Sequence, residues 1–164
     1  MKKAFILLLL LCFSTVITAK EAKLTFDFVL PSQAGEYHNP YVAIWLENSQ
    51  GKNARTLVLW REKPKWLKDI RRWWRKVGRR DAELVDAITS ATRPAGKYNL
   101  AFKGVDKQGK PLAQGGYTLF IEVVRENGGR SIIKHTFTLD NQNKSFNLPI
   151  LPEISQSVFS ISYR

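Results

Sequence analysis

The run Asp86-Ala87-Ile88-Thr89-Ser90-Ala91-Thr92 brings three side-chain hydroxyls close together among small residues. Such hydroxyls can act as oxygen nucleophiles, and Ser90 and Ala91 beside Thr92 are small enough to leave its oxygen open. The same residues also read as the end of a helix. Asp81 is a suitable N-cap, Ala82, Leu84, Val85 and Ile88 can line one apolar face, and Pro94 turns Arg93 away from helical dihedrals. The two readings are compatible. Elsewhere the chain is poor in reactive constellations. His38 and His135, its only histidines, lack the short spacing of a metal site. The sequence contains no Gly-x-Ser-x-Gly, no His-Glu-x-x-His and no phosphate-cradling glycine loop, and Glu47, Glu62, Asp69, Asp86, Asp106 and Glu122 form no recognisable catalytic pair. No catalytic residue and no metal site is expected.

The segment follows a strongly basic stretch. Arg61 to Arg80 holds ten Lys or Arg against Glu62 and Asp69. Within it Trp66, Leu67, Ile70, Trp73, Trp74 and Val77 recur at helical spacing, which predicts one amphipathic helix with three indoles on its apolar side. Lys68, Arg71, Arg72, Arg75 and Lys76 occupy the other faces. Three roles follow: the indoles pack on a sheet as its second layer; the cations meet an acidic redox partner; or the helix lies on an anionic membrane surface.

Residues 1–19 carry Lys2 and Lys3, an apolar run from Ala4 to Val16 and small residues ending at Ala19, the three parts of a secretory signal. Export to the periplasm is the expectation. Residues 20–164 then remain as one domain, without cysteine, because Cys12, the only one, lies in the leader and lacks the small residues that precede a lipoprotein cysteine. The chain has 26 Lys+Arg and 14 Asp+Glu; loss of Lys2 and Lys3 leaves 24 against 14, a net +10. Such a charge ordinarily suggests nucleic acid, a partner that export excludes.

Lys23 to Leu30, Tyr41 to Glu47, Arg55 to Trp60, Lys97 to Lys103, Gly116 to Arg125, Ser131 to Leu139 and Val158 to Tyr163 read as strands. Asn48 to Asn53 reads as a hairpin turn, and Asn141 to Gln156, with Pro149 and Pro152, as an irregular crossing. Short strands at this spacing predict a mainly β, antiparallel immunoglobulin-like sandwich with an inserted amphipathic helical segment at about residues 64–92.

Three resemblances add to this reading. The segment from Pro94 to Gly104, with Asp106, Gly109, Pro111-Leu112 and Gly115 to Leu119, resembles the immunoglobulin-like repeat of the flagellar hook-capping protein, which supports the fold alone. Asp86 to Thr92 resembles the acceptor loop Asp-x-x-Ser/Thr-x-Ala-Thr, on which an FMN transferase joins the phosphate of FMN to the last threonine. That likeness implies covalent FMN on Thr92, with Asp86, Thr89, Ser90 and Ala91 shaping the loop or being recognised by the transferase. It also places Arg93 beside a phosphodiester that it can hydrogen-bond. Ser90 stands where the commonest loop has glycine, a difference that strains the chain only if the position requires a positive φ. Finally Pro40 to Trp45, Arg55 to Trp60, Pro64 to Leu67, Arg72-Trp73-Trp74 and the Asp86 to Pro94 loop are similar to predicted periplasmic proteins catalogued as a domain of unknown function and associated with FMN transferases and PepSY membrane proteins. This similarity implies a periplasmic electron carrier that is not itself an enzyme, with a PepSY-type membrane redox protein as partner. The alternative is a cofactor-free immunoglobulin-like adaptor whose basic helix docks on a membrane or an acidic protein.

Overall fold

Alternation of buried and solvated side chains decides the first layer. In strand β1 (Ala22–Leu30) the residues Ala22, Leu24, Phe26, Phe28 and Leu30 are buried while the intervening ones are exposed or half-buried, as a strand with one wet face requires. In β2 (Tyr41–Asn48) every residue from Tyr41 to Glu47 is buried, so its sheet must be covered on both faces. A computed structural model shows how. It describes residues 20–163; the leader predicted for residues 1–19 lies outside them.

The remaining strands among the described residues are β3 (Asn53–Trp60), β4 (Thr89–Ser90), β5 (Gly96–Lys103), β6 (Gly115–Val124), β7 (Arg130–Leu139), β8 (Lys144–Asn147) and β9 (Val158–Tyr163). They form two sheets, ordered β5-β1-β9-β8 and β4-β3-β2-β6-β7. The fold is mainly β, an immunoglobulin-like sandwich as expected, with Phe26, Phe28, Ile44, Leu46, Leu119, Ile121 and Phe159 in the core between the sheets. Two details depart from the sequence reading. The pairing of β4 with β3 is parallel, so one sheet is mixed. The crossing from Asn141 to Gln156 contains β8, which pairs with β9.

The outer face of the five-stranded sheet is covered by the segment between β3 and β4, which is not one helix. It comprises a 3-10 helix (Pro64–Asp69), α1 (Arg71–Lys76), a 3-10 turn (Gly78–Arg80) and α2 (Ala82–Ile88). The break at Ile70, with ψ of 69°, has a cause that the local sequence does not contain. Glu122, fully buried on β6, accepts hydrogen bonds from the backbone N–H groups of Arg72 and Trp73 and from Arg130. A carboxylate that takes up the first free N–H groups starts a new helix at Arg71. The second break needs Gly78, because a Cβ there would stand 2.6 Å from the Trp73 ring.

The apolar stripe itself does pack as a second layer. Leu67, Ile70, Trp73 and Val77 are buried with Tyr41, Ala43, Trp45, Leu59 and Phe120. Trp73 is wholly buried and its indole N–H donates to Thr56, so that indole cannot enter a leaflet in this fold. If Glu122 sets the helix start, Glu122→Ala should cost roughly 2–3 kcal/mol, the loss of hydrogen bonds to a charged acceptor and of a cap. Urea unfolding at neutral pH will measure it, and a change under about 0.5 kcal/mol would contradict the role.

Candidate functional site

The hydroxyl-bearing segment is positioned by the end of α2. Asp81 caps that helix as expected, accepting from the N–H of Leu84 at 3.0 Å. Val85 is buried and Leu84 and Ile88 are half-buried, whereas Ala82 is exposed and takes no part in the expected apolar face. The helix stops at Ile88 and does not run on to Thr92. There the Thr89 hydroxyl donates to the carbonyl of Val85 at 2.5 Å, and Thr89-Ser90 turns extended to lie beside Leu59-Trp60. The N–H of Arg61 donates to the carbonyl of Ser90 at 2.9 Å. Strand pairing thus ends the helix before Pro94 can.

Beyond Ser90 the chain is held a second time. The Arg93 guanidinium lies 4.6 Å over the Trp60 ring and 5.3 Å from that of Tyr98, a cation-π arrangement. The Tyr98 hydroxyl donates to the carbonyl of Pro94 at 2.6 Å. Ala91 is exposed and Thr92 half-buried between these two fixed points. Among the hydrogen bonds of the described residues, Thr89 is committed to its helix, while none engages the side chain of Ser90 or Thr92. Ser90 is unstrained: the non-glycine residues with positive φ among those described are Asn127 and Asn141. The difference from glycine therefore carries no backbone penalty here.

Asp86 points at the same assembly. Its carboxylate is 3.6 Å from the Arg61 guanidinium, which is 17% exposed against 79% for Asp86. A pair so open at one end contributes little stability, but it sets Arg61 beside the loop. Arg61, Trp60 and Tyr98 escaped the sequence reading. Their only mark is position, at the end of β3 and in β5, and their role arises when β4 docks.

The expected docking cations divide. Lys68, Arg71, Arg75 and Lys76 are exposed on the outward side of the helical layer. Arg72 is not free: it bonds both oxygens of the buried Glu47 at 3.2 Å and its guanidinium lies 4.0 Å over the Phe120 ring. It holds the layer to the sheet. Trp66 is half-buried with the Lys65 ammonium 4.8 Å over it.

Comparison with known proteins agrees with this picture at the level of the family. Residues 23–152 match the family described as predicted periplasmic protein, DUF2271, and the chain belongs to that family. Its description fits the periplasmic address expected from the leader. Nothing among curated proteins and no solved structure matches the chain. No helix among the described residues is long and apolar enough to cross a membrane.

Neither histidine joins a cluster that could hold a metal: among the described residues no group of three His, Cys, Asp or Glu comes together. His135 packs against Phe146 with ring centroids 4.6 Å apart, and its Nε2 is buried without a partner. Burial lowers its pKa below the ordinary 6.5. The neutral ring is the form that fits, so its contribution is present above pH 6.5 and falls as pH drops through the folded-state value. The urea midpoint should decline from pH 7 to pH 5, and His135→Phe should remove part of that decline; an identical pH profile for the variant would count against a buried neutral histidine.

Proposed function

We propose, taking membership of this periplasmic family as premise, that the protein is an exported carrier of FMN joined covalently through Thr92, and that it works in electron transfer. The observation that carries this reading is the state of the acceptor loop. Its backbone is held on both sides of Thr92, by β4 pairing before it and by Arg93 and Pro94 after it. Among the described residues, no hydrogen bond engages its third hydroxyl. A partner enzyme thus meets a nucleophile already placed, and little ordering entropy opposes the encounter. The residues also fit the group chemically: Arg61 and Arg93 flank the loop, and each can serve a phosphodiester's single negative charge.

In the transfer, the Thr92 oxygen would form a bond to the FMN-side phosphorus of FAD while the pyrophosphate bond breaks and AMP leaves. The hydroxyl proton goes to a base of the transferase, and no electrons change hands. Asp86 and Thr89 shape the loop in this reading, Thr89 by ending α2. The chain itself contributes no catalytic group. Its partners are the FMN transferase and a PepSY-type membrane redox protein, which the exposed Lys68, Arg71, Arg75 and Lys76 would meet by charge. That cationic face also favours the second reading, a cofactor-free adaptor docking on an acidic protein or an anionic membrane surface.

Protein recovered from a host periplasm that contains the transferase should exceed its sequence mass by FMN less one water. It should also fluoresce under ultraviolet light after denaturing electrophoresis, since detergent strips a noncovalent flavin and leaves an ester. Thr92→Ala should abolish both signals while unfolding in urea like the parent, and Thr89→Ala should retain at least part of the adduct. An unmodified mass from competent cells would leave the adaptor.

A further inference from the structure

Two edges of the sandwich face each other beside the acceptor loop, β3 with α2 on one side and β5 on the other. The loop joins them, since it leaves β4 in one sheet and enters β5 in the other. Between these edges runs a groove of about 510 Å³, lined by Leu84, Ala87 and Ile88 of α2, Arg55 and Leu57 of β3 and Phe102 of β5. We propose that this groove is the seat of the isoalloxazine ring carried by Thr92, a step that rests on the attachment reading above.

Reach, size and lining support the assignment. Ile88 stands four positions before Thr92, at most about 14 Å along an extended chain, so the helical wall of the groove lies near the attachment point. The volume lies within the roughly 300–1,000 Å³ of small-molecule sites. A flavin ring has one apolar, methyl-bearing end and one end rich in carbonyls, and the groove is divided the same way. Leu57, Leu84, Ile88 and Phe102 supply apolar and aromatic faces on which a flat ring can stack. Arg55 supplies the polar end. Its Nη1 donates to the carbonyls of Lys103 and Val105 at 2.9 and 3.1 Å, and the carboxylate of Asp106, which also lines the groove, acts on it through space without a direct ion pair. Its remaining N–H groups can donate to ring carbonyls. Burial also lowers its pKa, the mark of a cation short of solvent.

A second cleft, of about 300 Å³ at Tyr41, Trp66, Arg71 and Arg130, is a weaker choice. Its register places it two or more strand spacings from Ser90, on the order of 10 Å across the sheet. The acceptor helix forms none of its walls. The groove, by contrast, has α2 itself as one side.

The test uses flavin-loaded protein from transferase-competent cells, first weighed intact. Without an adduct, the attachment reading falls and this proposal with it. With an adduct, the ring is followed by visible circular dichroism and by iodide quenching of its fluorescence, with free FMN as reference. A seated ring should give an induced dichroism band and be quenched severalfold less than free FMN. Lys107→Trp, a change at an exposed groove-lining position outside the acceptor segment, should keep the adduct and the urea midpoint yet alter the band and the protection. Phe102→Ala should weaken both signals. A loaded protein that matches free FMN in both measurements, or a Lys107→Trp variant that matches its parent in both, would overturn the groove and leave attachment standing.

Discussion

One buried carboxylate organises the helical layer that covers the five-stranded sheet. Glu122 sits fully buried among the apolar side chains of β6, where an unpaired charge would cost several kcal/mol. It is tolerable there because Arg130 and two backbone N–H groups converge on it. Satisfying that charge fixes where α1 begins. The start of α1 fixes where Trp73 enters the layer, and the bulk of Trp73 requires glycine at position 78. The return through α2 then delivers Thr89-Ser90 to the edge of β3. The loop that carries Thr92 is therefore placed by a residue of another strand, through a chain of steric and hydrogen-bonding requirements.

The loop that results combines a fixed backbone with an uncommitted side chain. Parallel pairing at Leu59 and Trp60 holds one end, and Arg93 stacked on Trp60 and Tyr98 holds the other. Among the hydroxyls, Thr89 is consumed in ending the helix, those of Ser90 and Thr92 are both unengaged among the described residues, and Thr92 is the one in the span between the anchors. Electrostatics act on a longer scale. The cations of the helical layer surround a surface whose indoles are mostly turned to the sheet, so attraction from this face is coulombic and weakens with salt.

The sandwich was legible because its strands obey local rules. β1 alternates, β2 is a near-continuous apolar run, and the Asn48 and Asp106 turns carry side chains that hydrogen-bond their own backbone. The helical layer was legible only as a stripe. Its apolar residues were identified as one stripe, with packing on a sheet as one of three open roles, but its breaks depend on Glu122, distant in sequence, and on the size of a neighbouring ring. β4 is two residues long and owes its state to β3, so no periodicity could reveal it. β8 lies in a stretch whose prolines suggest irregular chain. At the site, the Asp86–Thr92 loop stood out by its resemblance to a known motif, Arg93 by adjacency, and Asp81 by capping chemistry. Arg61 and Tyr98 had no such signal, because their contacts form only once the two sheet edges meet. Arg72 read as one of the outward cations because Glu47, its partner, lies on β2, distant in sequence.

The central claim is that the fold offers Thr92, and not its neighbours, as the oxygen that bears the cofactor. Fragment mass spectrometry on the peptide spanning Asp81 to Thr92, taken from protein matured with the transferase, reads this directly. The account requires the added phosphoryl-flavin mass on Thr92 alone. The same mass on Thr89 or Ser90, or none on the peptide, would contradict it.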